Sequence, residues 1–219
     1  VYTIYQGRHG DVWFGTADVL NRYDGRNIRV FKAGTGDHSA NNNTIRGNIC
    51  EDHIGGIWYT NETGIYSFDP ATEQIRKWVD FKTDVVTYYT GIMIDHDQRF
   101  WMLNPTKGLV CFDPVTRQLT ELLIPVTVAQ PELIIRAEKS GDDILLFVTG
   151  LPGMIRFNTR QKKFDIVLKD LLLTTASAVP GGLLLWTGNK LWMYDSLTSQ
   201  LTSVPIEPGA VIRSAIRDQ

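Results

Sequence analysis

A tryptophan that returns every 43 to 45 residues, an aromatic–Asp or aromatic–Asn pair that closes each of five units, and the lack of any helical period over ten residues predict an all-β chain. The class this points to is a β-propeller of four-stranded antiparallel blades. The unit count predicts five blades and the start of a sixth, a fragment of a larger propeller of about seven. The expected blades are 1–31, 45–79, 89–123, 133–168 and 175–204, with 211–219 as the first strand of the next.

The units read in order as follows. The first holds Gly10-Asp11-Val12-Trp13-Phe14-Gly15-Thr16, then Leu20-Asn21-Arg22-Tyr23-Asp24, and turns through Asp24-Gly25-Arg26-Asn27. In the second, Ile45–Glu51 is read as strand A, Gly56–Thr60 as B, Gly64–Phe68 as C and Gln74–Val79 as D. Asp52-His53-Ile54-Gly55 supplies turn residues between A and B. Asp69-Pro70-Ala71-Thr72 places Pro where a type I turn wants φ near −65°. The third unit repeats this with Asp95-His96-Asp97-Gln98, Trp101, Phe112 and Asp113-Pro114-Val115-Thr116. The fourth and fifth keep the endings Ile155-Arg156-Phe157-Asn158 and Leu191-Trp192-Met193-Tyr194-Asp195. There Leu145 and Leu185 are read in place of the Trp, and Lys139 in place of the A–B Asp. Ile212–Asp218 is read as the innermost strand of the sixth blade, so the segment alone is expected to leave an apolar blade face open at each end. Trp13, Trp58 and Trp101 are expected in the core between blades.

Composition narrows the class further. Across 219 residues, 43% are apolar and 21% charged, which excludes a disordered or collagen-like chain. A net charge of −2 offers no electrostatic basis for nucleic acid or an anionic membrane. Six Trp, eight Tyr and nine Phe beside 19 Gly favour strands and tight turns. Cys50 and Cys111 cannot form a disulfide scaffold and read as small buried hydrophobes. No apolar run approaches the roughly 20 residues of a membrane helix.

The run Trp-x-Gly-Thr-x-x-x-Leu-x-Arg-Tyr-Asp at 13–24 and the stretch 43–58, Asn43 through Trp58, resemble the repeat of the two-component regulator propeller family. The resemblance is sharpest in the first two units, holds in the third, and fades in the fourth and fifth. It implies the extracytoplasmic, periplasmic sensor region of a hybrid two-component histidine kinase. Its ligand would be an oligosaccharide, its signal would cross the membrane, and the kinase would lie outside this chain. Expected partners are that ligand, the remaining blades and downstream kinase domains of the parent chain, and a second copy in a homodimer. Nucleic acid is not expected.

No catalytic residue, metal or cofactor is expected. His9, His53 and His96 share one position in the A–B turns, which reads as turn solvation. Asp95-His96-Asp97 lacks the third ligand, Gly and Glu of a calcium loop. The ligand site is expected at the mouth, built from the D–A and B–C connections. Its candidates are Asp18, Asn41, Asn43, Asn61, Glu62, Trp78, Tyr88, Tyr89, Asn104 and Lys107. Aromatic faces would stack on sugar C–H patches while amides, carboxylates and an ammonium bond the hydroxyls. Two alternatives stand beside this reading. One is a lyase of the streptogramin-lyase type, for which Gly56-Ile57-Trp58-Tyr59-Thr60 would suit and His38 would have to be the base beside magnesium. The other is a protein-binding propeller scaffold.

Overall fold

The computed structural model describes residues 1–17, 19–32, 44–45, 47–81, 90–104, 108–124, 134–148, 153–169, 171, 175–179, 181–188, 190–195 and 197–206. Its regular structure is twenty strands in five four-stranded antiparallel sheets, each a blade in which consecutive strands pair. The chain forms two compact units, Val1–Ile124 and Pro125–Gln219. The sixth-blade strand expected at 211–219 lies outside the described residues.

The first unit holds three blades. Blade 1 comprises β1 (Thr3–Gln6), β2 (Val12–Gly15), β3 (Leu20–Tyr23) and β4 (Ile28–Phe31). Blade 2 comprises β5 (Ile49–Glu51), β6 (Ile57–Asn61), β7 (Gly64–Asp69) and β8 (Gln74–Asp80). Blade 3 comprises β9 (Thr90–Ile94), β10 (Phe100–Asn104), β11 (Gly108–Asp113) and β12 (Gln118–Leu122). Strand alternation gives each blade two faces. Ile57, Tyr59, Tyr66 and Phe68 of blade 2 pack on Trp13 and Leu20 of blade 1. From the other face Trp58 and Ile65 pack on Phe100, Met102 and Phe112 of blade 3. Trp13 and Trp101, 2% and 1% exposed, are among the most deeply buried side chains, and Trp58 stacks on Phe100 at 3.9 Å.

Blade 2 differs from its expected strands at one end. Strand A begins at Ile49 because Ile45 is held by the preceding blade: its N–H donates to the Thr16 carbonyl at 2.9 Å, and Thr44 Oγ1 to that of Ala17 at 2.9 Å. A β-bulge also interrupts the β7–β8 pairing, so that Ile65 faces Val79 and Tyr66 faces Lys77, with Trp78 the extra residue. The bulge puts Trp78 and Val79, neighbours in sequence, into the same cluster. The Val79 carbonyl also lies where a Cβ on Gly64 would be 2.1 Å away, which explains glycine there.

The turns follow the punctuation of the sequence. The A–B loops of the first three blades have three residues and close with a left-handed residue: Gly10, Gly55 or Gln98, at φ of 88°, 93° and 60°. Asp52 accepts N–H bonds from Ile54 and Gly56 on Oδ1 and from the Trp58 indole on Oδ2 at 2.7 Å. Asp95 repeats this with Asp97, Arg99 and Trp101. The A–B turns are also tied to one another. Arg8 binds Glu51 and the carbonyls of Asp52 and His53, while His53 binds Gln98 through its N–H and Nδ1. In the C–D turns the carboxylates of Asp24, Asp69, Asp113 and Asp195 receive backbone N–H bonds, which hold each below the usual carboxylate range.

The second unit holds blade 4, with β13 (Ile134–Ser140), β14 (Asp143–Val148), β15 (Met154–Asn158) and β16 (Lys163–Val167). Blade 5 has β17 (Thr175–Val179), β18 (Gly182–Thr187), β19 (Lys190–Asp195) and β20 (Leu201–Val204). Leu145, Phe147, Met154, Leu183, Leu185 and Tyr194 form the core between them. The register corrects two sequence readings. Leu183 pairs with Tyr194 as Ile57 pairs with Phe68, so Leu184 and not Leu185 occupies the Trp position. Likewise Lys139 pairs with Ile144 as Glu51 does with Ile57, so Ser140 and not Lys139 stands where blade 2 has its Asp. At Lys139 the physical reason is a shorter A–B hairpin: two residues, Gly141-Asp142, replace three, which shifts the count but not the alternation.

Candidate functional site

Of the ten expected mouth residues, Asn61, Glu62, Trp78 and Asn104 are described; Asp18, Asn41, Asn43, Tyr88, Tyr89 and Lys107 lie outside the described residues, as does His38. Asn61 closes the β6–β7 hairpin: its Oδ1 accepts from Thr63 N at 2.8 Å, Thr63 Oγ1 at 2.9 Å and Gly64 N at 3.0 Å. The side chain is buried by that work, and Glu62 is carried at the tip of the turn. Asn104 sits at the matching corner of blade 3, opposite Gly108, with no exposed surface. Trp78 lies on β8, its indole N–H donating to Ser67 Oγ at 2.8 Å and its ring stacked on Trp58 at 5.0 Å.

Around Asn61 the structure assembles groups that the sequence reading did not include. Tyr59 and Tyr66 face each other across the strands and stack at 5.5 Å with planes 7° apart. Burial pushes the Tyr59 hydroxyl well above the usual tyrosine range. The Tyr66 hydroxyl meets Thr63 Oγ1 at 2.6 Å, and Lys77 Nζ lies 5.7 Å from the Tyr66 ring centre and 2.5 Å from Asp80. Partial burial disfavours the Lys77 charge, but Asp80 and Tyr66 outweigh it and raise its pKa. The corner is closed by Phe81 N–H donating to the Thr63 carbonyl at 3.0 Å. A carboxylate, two hydroxyls and an ammonium thus gather beside an aromatic pair at the B–C end of blade 2. The signal for Tyr59 and Tyr66 was their alternation: each lies on the Phe68 face, and a two-residue turn puts them opposite.

The A–B end is chemically committed. His9, His53 and His96 occupy the tips of those turns, and the Asp52 and Asp95 carboxylates are filled by the bonds described above. Cys50 and Cys111 lie on β5 and β11, half-buried and buried, and are not joined in a disulfide. Among the described residues no three His, Cys, Asp or Glu side chains are grouped to hold a metal ion, and no helix is long and apolar enough to cross a membrane.

No family model and no curated protein sequence matches the chain. Solved structures do. The chain is similar to an extracellular domain from B. thetaiotaomicron described as that of a hybrid two-component system, BT3049, with 18% identity and a TM-score of 0.62 over 93% of this chain and 30% of that one. It is similar to that of BT4673 from the same organism, described as a one-component system, at 16% identity and a TM-score of 0.54, covering 93% and 36%. An auxiliary nutrient binding protein from Bacteroides thetaiotaomicron has 10% identity and a TM-score of 0.60, covering 92% and 56%. The chain therefore spans between about a third and just over half of each neighbour's length. At these identities the likeness is one of fold.

Proposed function

We propose that the chain is a ligand-binding part of an extracytoplasmic sensor propeller, without a catalytic role of its own. The observation that carries this is the likeness, over 93% of the chain, to the extracellular domain of a protein described as a hybrid two-component system. The neighbour described as a nutrient binding protein supports the binding part of this reading. The ligand is an oligosaccharide, taken at the B–C and D–A end, with Glu62, Thr63, Tyr66 and Lys77 as the described contacts. Asp18, Asn41, Asn43, Tyr88, Tyr89, Asn104, Lys107 and Trp78 remain part of the proposed mouth and its support. The propeller stands on the periplasmic side of a bacterial inner membrane. Further blades and a histidine kinase in the parent chain carry the signal, and a homodimer transmits it.

A thermal-shift screen against glycan-derived oligosaccharides tests the binding step. A ligand at 100 times its Kd adds about 2.7 kcal/mol, or roughly 5–10 °C for a chain of this size. Glu62→Ala and Lys77→Ala should each reduce that shift. A panel without any saccharide-specific shift refutes the ligand class. A parent reading frame lacking a membrane span and a kinase refutes the signalling role.

A further inference from the structure

Away from the B–C corner, blade 2 carries a groove of about 710 Å³ on its A–B and C–D end. Its described lining includes Asp52, Ser67, Asp69, Gln74, Arg76 and Trp78. At its edge four planar groups are layered. The Arg76 guanidinium carbon lies 3.9 Å from the centre of the Trp78 ring, Trp78 stacks on Trp58 at 28°, and Trp58 stacks on Phe100 at 25°. The stack runs from solvent into the core between blades 2 and 3, so the inner partners fix the plane on which Arg76 rests.

Both carboxylates that line the groove are already engaged. Both Asp52 oxygens are taken, by two backbone N–H groups and the Trp58 indole. Asp69 is taken by Ala71 N–H and the Thr72 hydroxyl, and these bonds hold its carboxyl below the usual range. Ser67 accepts from Trp78 and keeps its own hydrogen to give. Among the described residues Arg76 forms no ion pair, although Arg29 and Lys77 nearby are matched to Glu73 and Asp80. What the groove offers a ligand is therefore a guanidinium fork held flat, the hydrogen of the Ser67 hydroxyl and the Gln74 amide, which both donates and accepts.

We propose that this groove binds a small carboxylate-bearing ligand, anchored by a two-point contact from Arg76. A guanidinium stacked on an aromatic ring keeps its N–H edge free in one plane, the geometry a carboxylate accepts with both oxygens. The groove opens toward the other end of blade 2 from the Asn61 corner, and of the residues named for the proposed mouth it shares Trp78 alone. The carboxylate can come from an acidic sugar or from a plain organic acid, and the ligand series separates the two.

The test is calorimetric titration of the 219-residue chain with glucuronate, succinate and glucose, with each ligand raised to about 20 mM so that millimolar affinities saturate. One saturable carboxylate site is expected, with no response to glucose. Tighter glucuronate binding identifies an acidic sugar, and tighter succinate binding a plain acid. Arg76→Gln should weaken binding about tenfold or more, since the lost bond is charge-assisted. Arg76→Lys, which keeps the charge without the fork, should fall between. Arg26→Gln, which removes an equivalent exposed charge from blade 1, should bind as the parent does. Unchanged near-UV circular dichroism and melting temperature show Arg76→Gln to be folded. Absence of carboxylate binding, equal binding by glucose, or equal binding by Arg76→Gln overturns the proposal. Loss of oligosaccharide binding in Glu62→Ala with carboxylate binding intact would show two separate sites.

Discussion

Replacing Asp95 by Ala removes the acceptor that organises the A–B turn of blade 3. Its Oδ1 receives the Asp97 and Arg99 N–H groups at 2.9 and 3.0 Å; its Oδ2 receives Arg99 Nε at 2.9 Å and the Trp101 indole at 2.8 Å. The carboxylate side chain is 1% exposed and Trp101 is also 1% exposed, so water cannot take its place at the indole. An orphaned buried donor costs about 1–3 kcal/mol, and removing one member of a buried ion pair costs about 3–5 kcal/mol. Arg99 is 21% exposed and recovers part of its solvation, which puts the total near 3–4 kcal/mol. For a chain of this length that corresponds to a fall in Tm of about 10 °C. The assay is urea denaturation followed by tryptophan fluorescence, with Asp113→Ala as the comparison. Asp113 also caps a turn through two N–H groups, but in solvent, so its loss should cost about 1 kcal/mol. Asp95→Asn should fall near Asp95→Ala, because one amide edge carries hydrogens and must face either the turn or the indole. Trp101→Phe removes the indole donor, so the Asp95→Ala loss should shrink by about 1 kcal/mol in that background. Equal losses at Asp95 and Asp113, or no coupling to Trp101, would refute the view that the buried Asp–Trp bond organises the blade.

The remaining predictions concern packing and pH. Gly64→Ala places a Cβ 2.1 Å from the Val79 carbonyl, so the bulge must move; a loss of about 1–3 kcal/mol in urea denaturation is expected, and a neutral substitution counts against the bulge as a fixed feature. Phe100→Ala empties the centre of the contact between blades 2 and 3 and should cost about 3–5 kcal/mol, with a change in Trp58 emission; a loss below about 1 kcal/mol would place that core elsewhere. The four C–D carboxylates at Asp24, Asp69, Asp113 and Asp195 are held below their ordinary value of 3.8 by backbone N–H bonds, together with hydroxyl bonds from Thr72 and Thr198. Their stabilisation is complete above pH 3.8 and is lost as the pH falls through the lowered folded values, where the unfolded chain already holds the proton. Urea midpoints measured from pH 6 downward should therefore drop most steeply below that value, and Asn at the four positions should flatten the drop.

The sequence carried the blades because their determinants are local. Period-two alternation, a Pro or Gly in some of the turns and the Asp or Asn that caps them all act within a few residues, and the strands of blades 1 to 3 lie close to where those signals put them. Errors came where count and register part company. Leu185 was read in place of the Trp, yet Leu184 pairs with Met193 as Trp58 pairs with Ser67, which makes Leu184 the equivalent residue. The bulge at Trp78 was equally hidden, since it depends on how β8 meets β7 and not on β8 itself. For the site, Asn61 was rightly singled out as a B–C residue, but its three accepted bonds make it a turn closer, and the groups it positions are Glu62 and Thr63. Tyr66 and Lys77 carry no motif; only cross-strand pairing reveals that they meet.

The two ends of blade 2 differ in how their polar groups are used, and that difference has a consequence for ligand binding. At the A–B turns Asp52, Arg8, Glu51 and His53 are bonded within or between blades, so a ligand there would have to displace existing bonds and leave buried partners unsatisfied. At the B–C corner the bonds run inward: Asn61 and the Phe81 N–H hold the turn from behind, and the Thr63–Tyr66 hydroxyl pair and Lys77 border the corner. A site supported from behind can bind without unfolding its own frame, since the ordering cost has already been met on folding. The Arg76 groove follows the same rule by another route, with aromatic rings and not hydrogen bonds fixing the group that faces solvent. Substituting a supporting group should then weaken binding by loosening the site: Asn61→Ala is expected to lower oligosaccharide affinity although Asn61 is buried, and to leave carboxylate binding at Arg76 unchanged. If Asn61→Ala affects both sites equally, the two ends are not independently built.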